Sequence, residues 1–370
     1  MSVLLKPPPF EGITPKELAQ QIASKKKCRL KLPTWFKTEG IYYPESLSIE
    51  QASSEVTAEY KAELVDGKSL VDITGGFGVD SFFFSQKMEN VWHCEINHEL
   101  SQIATHNFKT LGAKRIESRA INGIDFVLSS QKKFHWLYID PSRRNENKEK
   151  VFLLSDCSPD VPAYLDQLLD KRDHILLKTS PLLDISAGLE ELHFVRELHG
   201  LAVNNEVKEL LWIIDKSSTA RIHIKTINIS KGERQQFSFY HDSEKEAISQ
   251  FDNPLKYLYE PNAAIMKAGG FKSVGINYSI KKLHQNTHLF TSDALIPFPG
   301  RRFEIIENIP YNKKSIKSLE LNKANIATRN FPVTVAEIRK KYKIKEGGDS
   351  YMFFITNQSG DFRVLLCKKP

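Results

Sequence analysis

At 370 residues, 41% hydrophobic and 26% charged, the chain has an ordinary globular composition with room for two or three domains. No window approaches the roughly 18 continuous apolar residues that a membrane span needs, and the opening MSVLLKPPPF is too short an apolar run for a signal peptide, so the sequence predicts a cytoplasmic protein. The net charge is +7, and Cys28, Cys94, Cys157 and Cys367 are scattered with no Cys-x-x-Cys pair, which points away from a disulfide framework and from any metal site.

Residues 1–37 hold 8 Lys/Arg against 2 Asp/Glu. Thr14-Pro15-Lys16-Glu17 has capping-box spacing with proline at the first helical position, and predicts a helix with Leu18 and Ile22 on one face. It runs into KKKCRLKLPTW, whose basic side chains beside Trp35 and Phe36 are able to grip phosphates and stack on bases, although such aromatics are more often core. SIEQASSEVTAEYKAELV predicts a second helix, with Ser48 and Gln51 as its capping pair and Ile49, Ala52, Val56, Tyr60 and Leu64 as its apolar stripe.

From residue 66 strands and helices alternate. SLVDI is a strand, VDSFFFSQKM a helix, VWHCEI a strand, NHELSQIATHNFKTLG a helix, and FHWLYID and HILLKTS are later strands. Such alternation implies a parallel sheet covered on both faces. HFVRELHGLAV and VKELLWIID, joined at Asn204-Asn205, predict an antiparallel pair at its edge. RIHIKTINIS and QQFSFY predict another hairpin, and HDSEKEAISQFDNP reads as a linker. PVTVAEIRKKYKIKEGGDSYMFFIT reads as helix, Gly-Gly turn and strand, and DFRVLLCKK as a final strand.

The first strand ends in VDITGGFGVD. Gly75, Gly76 and Gly78 allow a sharp turn and a close ligand approach ahead of a helix, as at a nucleotide site. The G-x-G-x-x-G spacing of dinucleotide enzymes is broken by Ser81, which weighs against NAD. Glu95 ends the second strand, where a carboxylate accepts hydrogen bonds from ribose hydroxyls. Asp72, inside the glycine turn, suits a ligand with an amino group and positive charge better than a pyrophosphate, and S-adenosylmethionine has both features. The alternative for Asp72 is a strand-end residue that caps the loop backbone.

VDITGGFGVD, CEIN, YIDPSRR, LKTSPLLD, YEPNAAIMKAG, HLFTSD and FPGRRFEI together resemble the class I S-adenosylmethionine-dependent methyltransferases with a C-terminal THUMP-like domain. The resemblance spans nearly the whole chain. It implies an α/β fold: a Rossmann-like seven-stranded sheet with its last strand antiparallel, an N-terminal helical region and small α+β C-terminal domains. The corresponding division is a helical basic region at 1–65, a methyltransferase domain at 66–240, a linker and ferredoxin-like segment at 241–298, and a THUMP-like basic domain at 299–370.

Carried over by position, the resemblance assigns Asp72, Thr74, Gly75, Gly76 and Gly78 to the cofactor loop and Glu95 to the ribose. Asn122, with Asp125 close by, falls to the adenine amino group. Asp140, Pro141, Ser142 and Arg143 fall to the acceptor site, with Asp140 beside the cofactor's methyl group. Enzymes that methylate exocyclic amines often have Asp-Pro-Pro-Tyr here, whereas Ser142 and Arg143 make this loop more like the Asp-Pro-x-Arg loops of some RNA base methyltransferases. Arg143 and Arg144 are then candidates for a phosphate or a base, or for a salt bridge with a loop carboxylate. Carbon methylation of a pyrimidine needs a cysteine nucleophile, and Cys157 is the nearby candidate, although a lone cysteine is usually core.

Residues 299–370 hold 15 Lys/Arg against 7 Asp/Glu, with Lys340, Lys341, Lys343 and Lys345 close together. Basic ends around an acidic middle suit a polyanion partner. The expectation is an S-adenosylmethionine-dependent methyltransferase acting on a tRNA or rRNA base. The alternatives are an RNA-binding protein on a catalytically degenerate scaffold, and a methyltransferase of DNA or a small molecule.

Overall fold

The computed structural model describes residues 12–143, 153–218 and 221–370. The chain divides into two compact units, Met1–Val203 with Lys208–Ala220, and Asn204–Val207 with Arg221–Pro370.

The first unit opens with four helices: α1 (Pro15–Lys31), α2 (Pro33–Lys37), α3 (Ser46–Gln51) and α4 (Glu55–Ala62). α1 starts where its capping signal places it, with Thr14 Oγ1 accepting from Glu17 N at 3.1 Å. Trp35 is core, fully buried with its ring 5.0 Å edge-on from Phe82. The second predicted helix is two. α3 stops before Ala52, and α4 restarts on Ser54, which accepts from Thr57 N. The predicted stripe holds in part, with Ile49 and Tyr60 buried, but Val56 is exposed while Lys61 is fully buried. Ser53, in the break, donates to Asp80 and accepts from Lys61 Nζ, and these bonds replace the helical continuation.

The sheet strands of this unit follow, β1 (Ser69–Asp72), β2 (Asn90–Cys94), β3 (Ile116–Arg119) and β4 (Phe134–Ile139), then the short pair β5 (Ser142–Arg143) and β6 (Cys157–Ser158), then β7 (Arg172–Thr179), β8 (Val195–Val203) and β9 (Glu206–Asp215). α5 (Val79–Ser85), α6 (His98–Thr110), α7 (Gly123–Ser129), α8 (Val161–Leu169) and α9 (Ile185–Glu191) connect them. Within the unit seven strands lie in the order β3-β2-β1-β4-β7-β9-β8. β1 pairs parallel with β2 and β4, β4 parallel with β7, and β7 antiparallel with β9. This is the expected Rossmann-like sheet. β1 is buried at every position because helices cover both faces. The order reverses beside β1, where β2 and β4 flank it, and such a switch point opens a crevice at the carboxyl ends of the strands.

In the second unit β10 (His223–Ser230) and β11 (Glu233–Tyr240) form the predicted hairpin around Lys231-Gly232, both at positive φ. The stretch read as a linker begins instead with a helix, α10 (His241–Glu246), whose Glu244 accepts from the backbone of Lys272 and Ser273 at 2.8 and 2.7 Å. Its charged composition hid that role.

β12 (Tyr257–Pro261), α11 (Ala263–Ala268), α12 (Phe271–Asn277), β13 (Lys281–Lys282), β14 (Phe290–Ser292), β15 (Gly300–Pro310), α13 (Lys313–Lys317), β16 (Asn325–Arg329), α14 (Val335–Tyr342), β17 (Tyr351–Thr356) and β18 (Phe362–Lys368) complete the chain. Seven of these strands make one sheet, β13-β14-β12-β15-β18-β17-β16, so the segments expected at 241–298 and 299–370 share it. Phe353 and Ile355 pack into one core and Met352 and Phe354 into another, the two-sided burial that strand alternation produces.

Candidate functional site

The glycine turn after β1 is shaped from beneath. A Cβ on Gly75 would lie 2.3 Å from the ring of buried His93, and one on Gly78 2.3 Å from Phe108, so those two glycines are required by packing. Gly78 also takes φ +83 as N-cap of α5. Only Gly76 of the three, at φ +54, has open space where its Cβ would be, with Thr74 O the nearest atom beyond its chain neighbours at 3.8 Å. The turn is therefore open to approach over Gly76. Burial lowers the His93 pKa to about 4, so the ring under the turn is neutral.

Asp72 is buried, with Ser81 Oγ donating to it at 2.6 Å and Thr74 N at 3.1 Å. Burial raises its pKa to about 7, with the Asp80 and Asp140 charges adding and the Ser81 and Thr74 hydrogen bonds opposing. Thr74 Oγ1 accepts from Asp140 N at 2.7 Å and so ties the turn to the end of β4. Glu95 accepts from Gly76 N at 2.8 Å on one oxygen and from Asn97 N at 2.7 Å on the other. Each oxygen keeps a second lone pair for an outside donor. Asn122 caps α7, its Oδ1 accepting from Ile124 N at 2.9 Å, and Asp125 follows in the first turn.

Asp140 follows β4 directly and receives Lys178 Nζ at 2.5 Å from the end of β7. Burial raises the Asp140 pKa, with Lys178 pulling the other way. Burial alone would lower that of Lys178, but Asp140, Glu209 and Asp80 outweigh it and the ammonium is held above its ordinary range. Ser142 is exposed and pairs in register with Ser158, as Arg143 does with Cys157. Arg143 is described in its backbone only, and Arg144 lies outside the described residues. Cys157 Sγ donates to Leu153 O at 3.7 Å.

A cleft of about 1120 Å³ collects most of these groups, though Cys157 is not among its lining residues. The turn from Asp72 to Gly78, Glu95, Asn122, Asp125 and Asp140–Ser142 all line it. Sequence reasoning missed Lys178, which also lines it, although Lys178-Thr179-Ser180-Pro181 was in view as a strand end. It missed as well the charges beneath, where Lys61 Nζ lies 3.0 Å from Asp80 and 2.9 Å from Glu209, and Tyr138 donates to Asp80 at 2.8 Å.

These residues fit S-adenosylmethionine. The open face over Gly76 admits a ligand to the backbone, the Glu95 oxygens suit ribose hydroxyls, and the Asp72 carboxylate, which carries no cation of its own, suits the cofactor's positive charge. When bound, that cofactor supplies an electrophilic methyl group on a good leaving sulfur.

Residues 257–299 match a family model described as a ferredoxin-like domain, and residues 300–369 one described as THUMP domain-like. Proteins of Mycobacterium tuberculosis strains CDC 1551 and H37Rv, each named as an uncharacterized S-adenosylmethionine-dependent methyltransferase, are 21% identical over 308 residues, 80% of this chain and 80% of theirs. The crystal structure of a candidate methyltransferase from Porphyromonas gingivalis W83 superposes with a TM-score of 0.91 at 32% identity, covering 99% of this chain and 93% of that one. With sequence and fold alike over its whole length, the chain belongs to the family of S-adenosylmethionine-dependent methyltransferases that carry C-terminal ferredoxin-like and THUMP-like domains.

Proposed function

We propose that this methyltransferase modifies RNA in the cytoplasm. The observation that carries the reading is the basic surplus of the THUMP-like segment, 15 Lys/Arg against 7 Asp/Glu over residues 299–370, on the same chain as a methyltransferase cleft. Lys340, Lys341, Lys343 and Lys345 are exposed around the end of α14 and are available to phosphates. In this reading Asp72, Thr74, Gly75, Gly76 and Gly78 form the cofactor turn, with approach over Gly76. Glu95 takes the ribose, and Asn122 with Asp125 the adenine edge. Asp140, Pro141, Ser142 and Arg143 receive the nucleotide. Catalysis rests largely on alignment, because bringing acceptor and methyl carbon into line removes much of the entropic barrier.

The test is incubation of the purified protein and tritiated S-adenosylmethionine with total RNA from a strain lacking the gene, with wild-type RNA as the pre-modified control. Label entering only the deletion-strain RNA is the expected result. Cofactor binding without label in either RNA would move the acceptor to another class of molecule, and loss of cofactor binding as well would favour a degenerate scaffold.

A further inference from the structure

Lys178 fixes a cation at the acceptor edge of the cleft. Its side chain is 12% exposed, its ammonium sits on Asp140, and three carboxylates keep it protonated. The ammonium has three donors, so one engaged by Asp140 leaves others for a bound group.

That charge discriminates between acceptors. An exocyclic amine becomes cationic as it gains a methyl group, and a carboxylate carrying no cation of its own stabilises that change best. Asp140 already carries Lys178, and the ammonium repels a second positive centre. A hydroxyl has the opposite requirement. Its oxygen must lose a proton, and negative charge growing there is stabilised by an ammonium within reach.

We propose that the acceptor atom is a hydroxyl oxygen, the ribose 2′-hydroxyl of an RNA nucleotide, with Lys178 donating to that oxygen and Asp140 taking its proton. The proposal rests on the RNA reading above and moves the acceptor from base to ribose. The O–H bond breaks and its proton passes to the Asp140 carboxylate. An O–C bond forms to the methyl carbon as the C–S bond breaks, and the electron pair stays on sulfur as a neutral thioether.

A 2′-O-methyl group blocks alkaline cleavage at its own phosphodiester, which supplies the test. Deletion-strain RNA labelled by the full-length protein is digested with alkali, and unlabelled RNA from wild-type and deletion strains is digested in parallel. The expected label sits in alkali-resistant dinucleotides, and the same dinucleotide is present in wild-type RNA and missing from the deletion strain. Label in mononucleotides overturns the hydroxyl assignment and leaves the RNA reading standing; label in no RNA overturns both. Lys178→Met is expected to lose about a hundredfold or more in kcat, with the cofactor Kd of the purified variant, measured calorimetrically, within about twofold of wild type. Lys178→Arg, which keeps the cation, is expected to recover part of that loss. A kcat unchanged in Lys178→Met, or lost together with cofactor binding in both variants, would make Lys178 a structural residue and overturn its role.

Discussion

The hydroxyl of Ser81 donates to Asp72 at 2.6 Å, so the residue that breaks the dinucleotide glycine spacing is the one that fixes the carboxylate at the end of β1. A glycine at that position could not make this bond. The departure from the dinucleotide pattern therefore has a physical role, which is to hold a buried carboxylate at the root of the glycine turn.

Asp72 is expected to make both stability and cofactor affinity depend on pH. Its folded pKa is raised to about 7, chiefly by burial. Between about pH 4 and 7 the folded chain keeps a proton that the unfolded chain has lost, so stability falls as pH rises across that window and is level above it. A cationic ligand favours the ionised carboxylate, so S-adenosylmethionine affinity is expected to rise about tenfold from pH 6 to pH 8. Calorimetric titration of wild type and Asp72→Asn checks this. The same pH dependence in both proteins would remove Asp72 from the cofactor's surroundings.

The three glycines of the turn are expected to respond differently to alanine. Gly75→Ala and Gly78→Ala drive a methyl group into His93 and Phe108, and each is expected to cost roughly 2 kcal/mol or more of stability. Gly76→Ala meets no close neighbour and pays only for its left-handed backbone, about 1–2 kcal/mol, yet places the methyl group where the proposed ligand would approach. Urea unfolding and cofactor titration of all three should separate them. A Gly76→Ala protein that binds as tightly as wild type would move the ligand off this face.

Lys61 holds two buried carboxylates, Asp80 and Glu209. Lys61→Met is expected to lose about 3–5 kcal/mol in urea unfolding, because both are left without their cation. The double variant Lys61→Met/Glu209→Gln should recover part of the loss. Double and single variants of equal stability would mean that an unpaired Glu209 carboxylate is not what destabilises Lys61→Met.

Replacing Lys340, Lys341, Lys343 and Lys345 by alanine is expected to weaken RNA binding while cofactor affinity stays unchanged. The plot of log K against log salt should become shallower by about 0.7 for each single-strand phosphate that a lysine no longer neutralises. Lys341 lies over the rings of Tyr311 and Tyr342, 5.2 and 5.3 Å from their centroids, so part of its removal registers in stability. Filter binding over a salt series gives the slope, and an unaltered slope would detach these lysines from RNA.

Local signals were legible wherever a few consecutive residues settle the backbone. Thr14-Pro15 opens α1, Asn204-Asn205 and Lys231-Gly232 turn hairpins at positive φ, and Gly347-Gly348 precedes β17. Each is a case of steric or hydrogen-bond chemistry within a few residues. The same locality misled the reading of 48–65 as one helix, because the bonds that break it at Ser53 come from Asp80, 27 residues on, and from Lys61.

The sequence by itself determined the alternating α/β order, the glycine turn, the strand-end carboxylates and the basic tail, because composition and short-range periodicity record them. Only the tertiary structure decided what those groups face: that Gly76 alone of the three glycines is open, that Asp140 carries Lys178 from 38 residues away, and that Lys61 meets Glu209 across 148. Periodicity assigns a lysine to solvent by its type. A buried ammonium is stable only beside particular carboxylates, and which carboxylates come to its side is fixed by the strand order of the folded sheet.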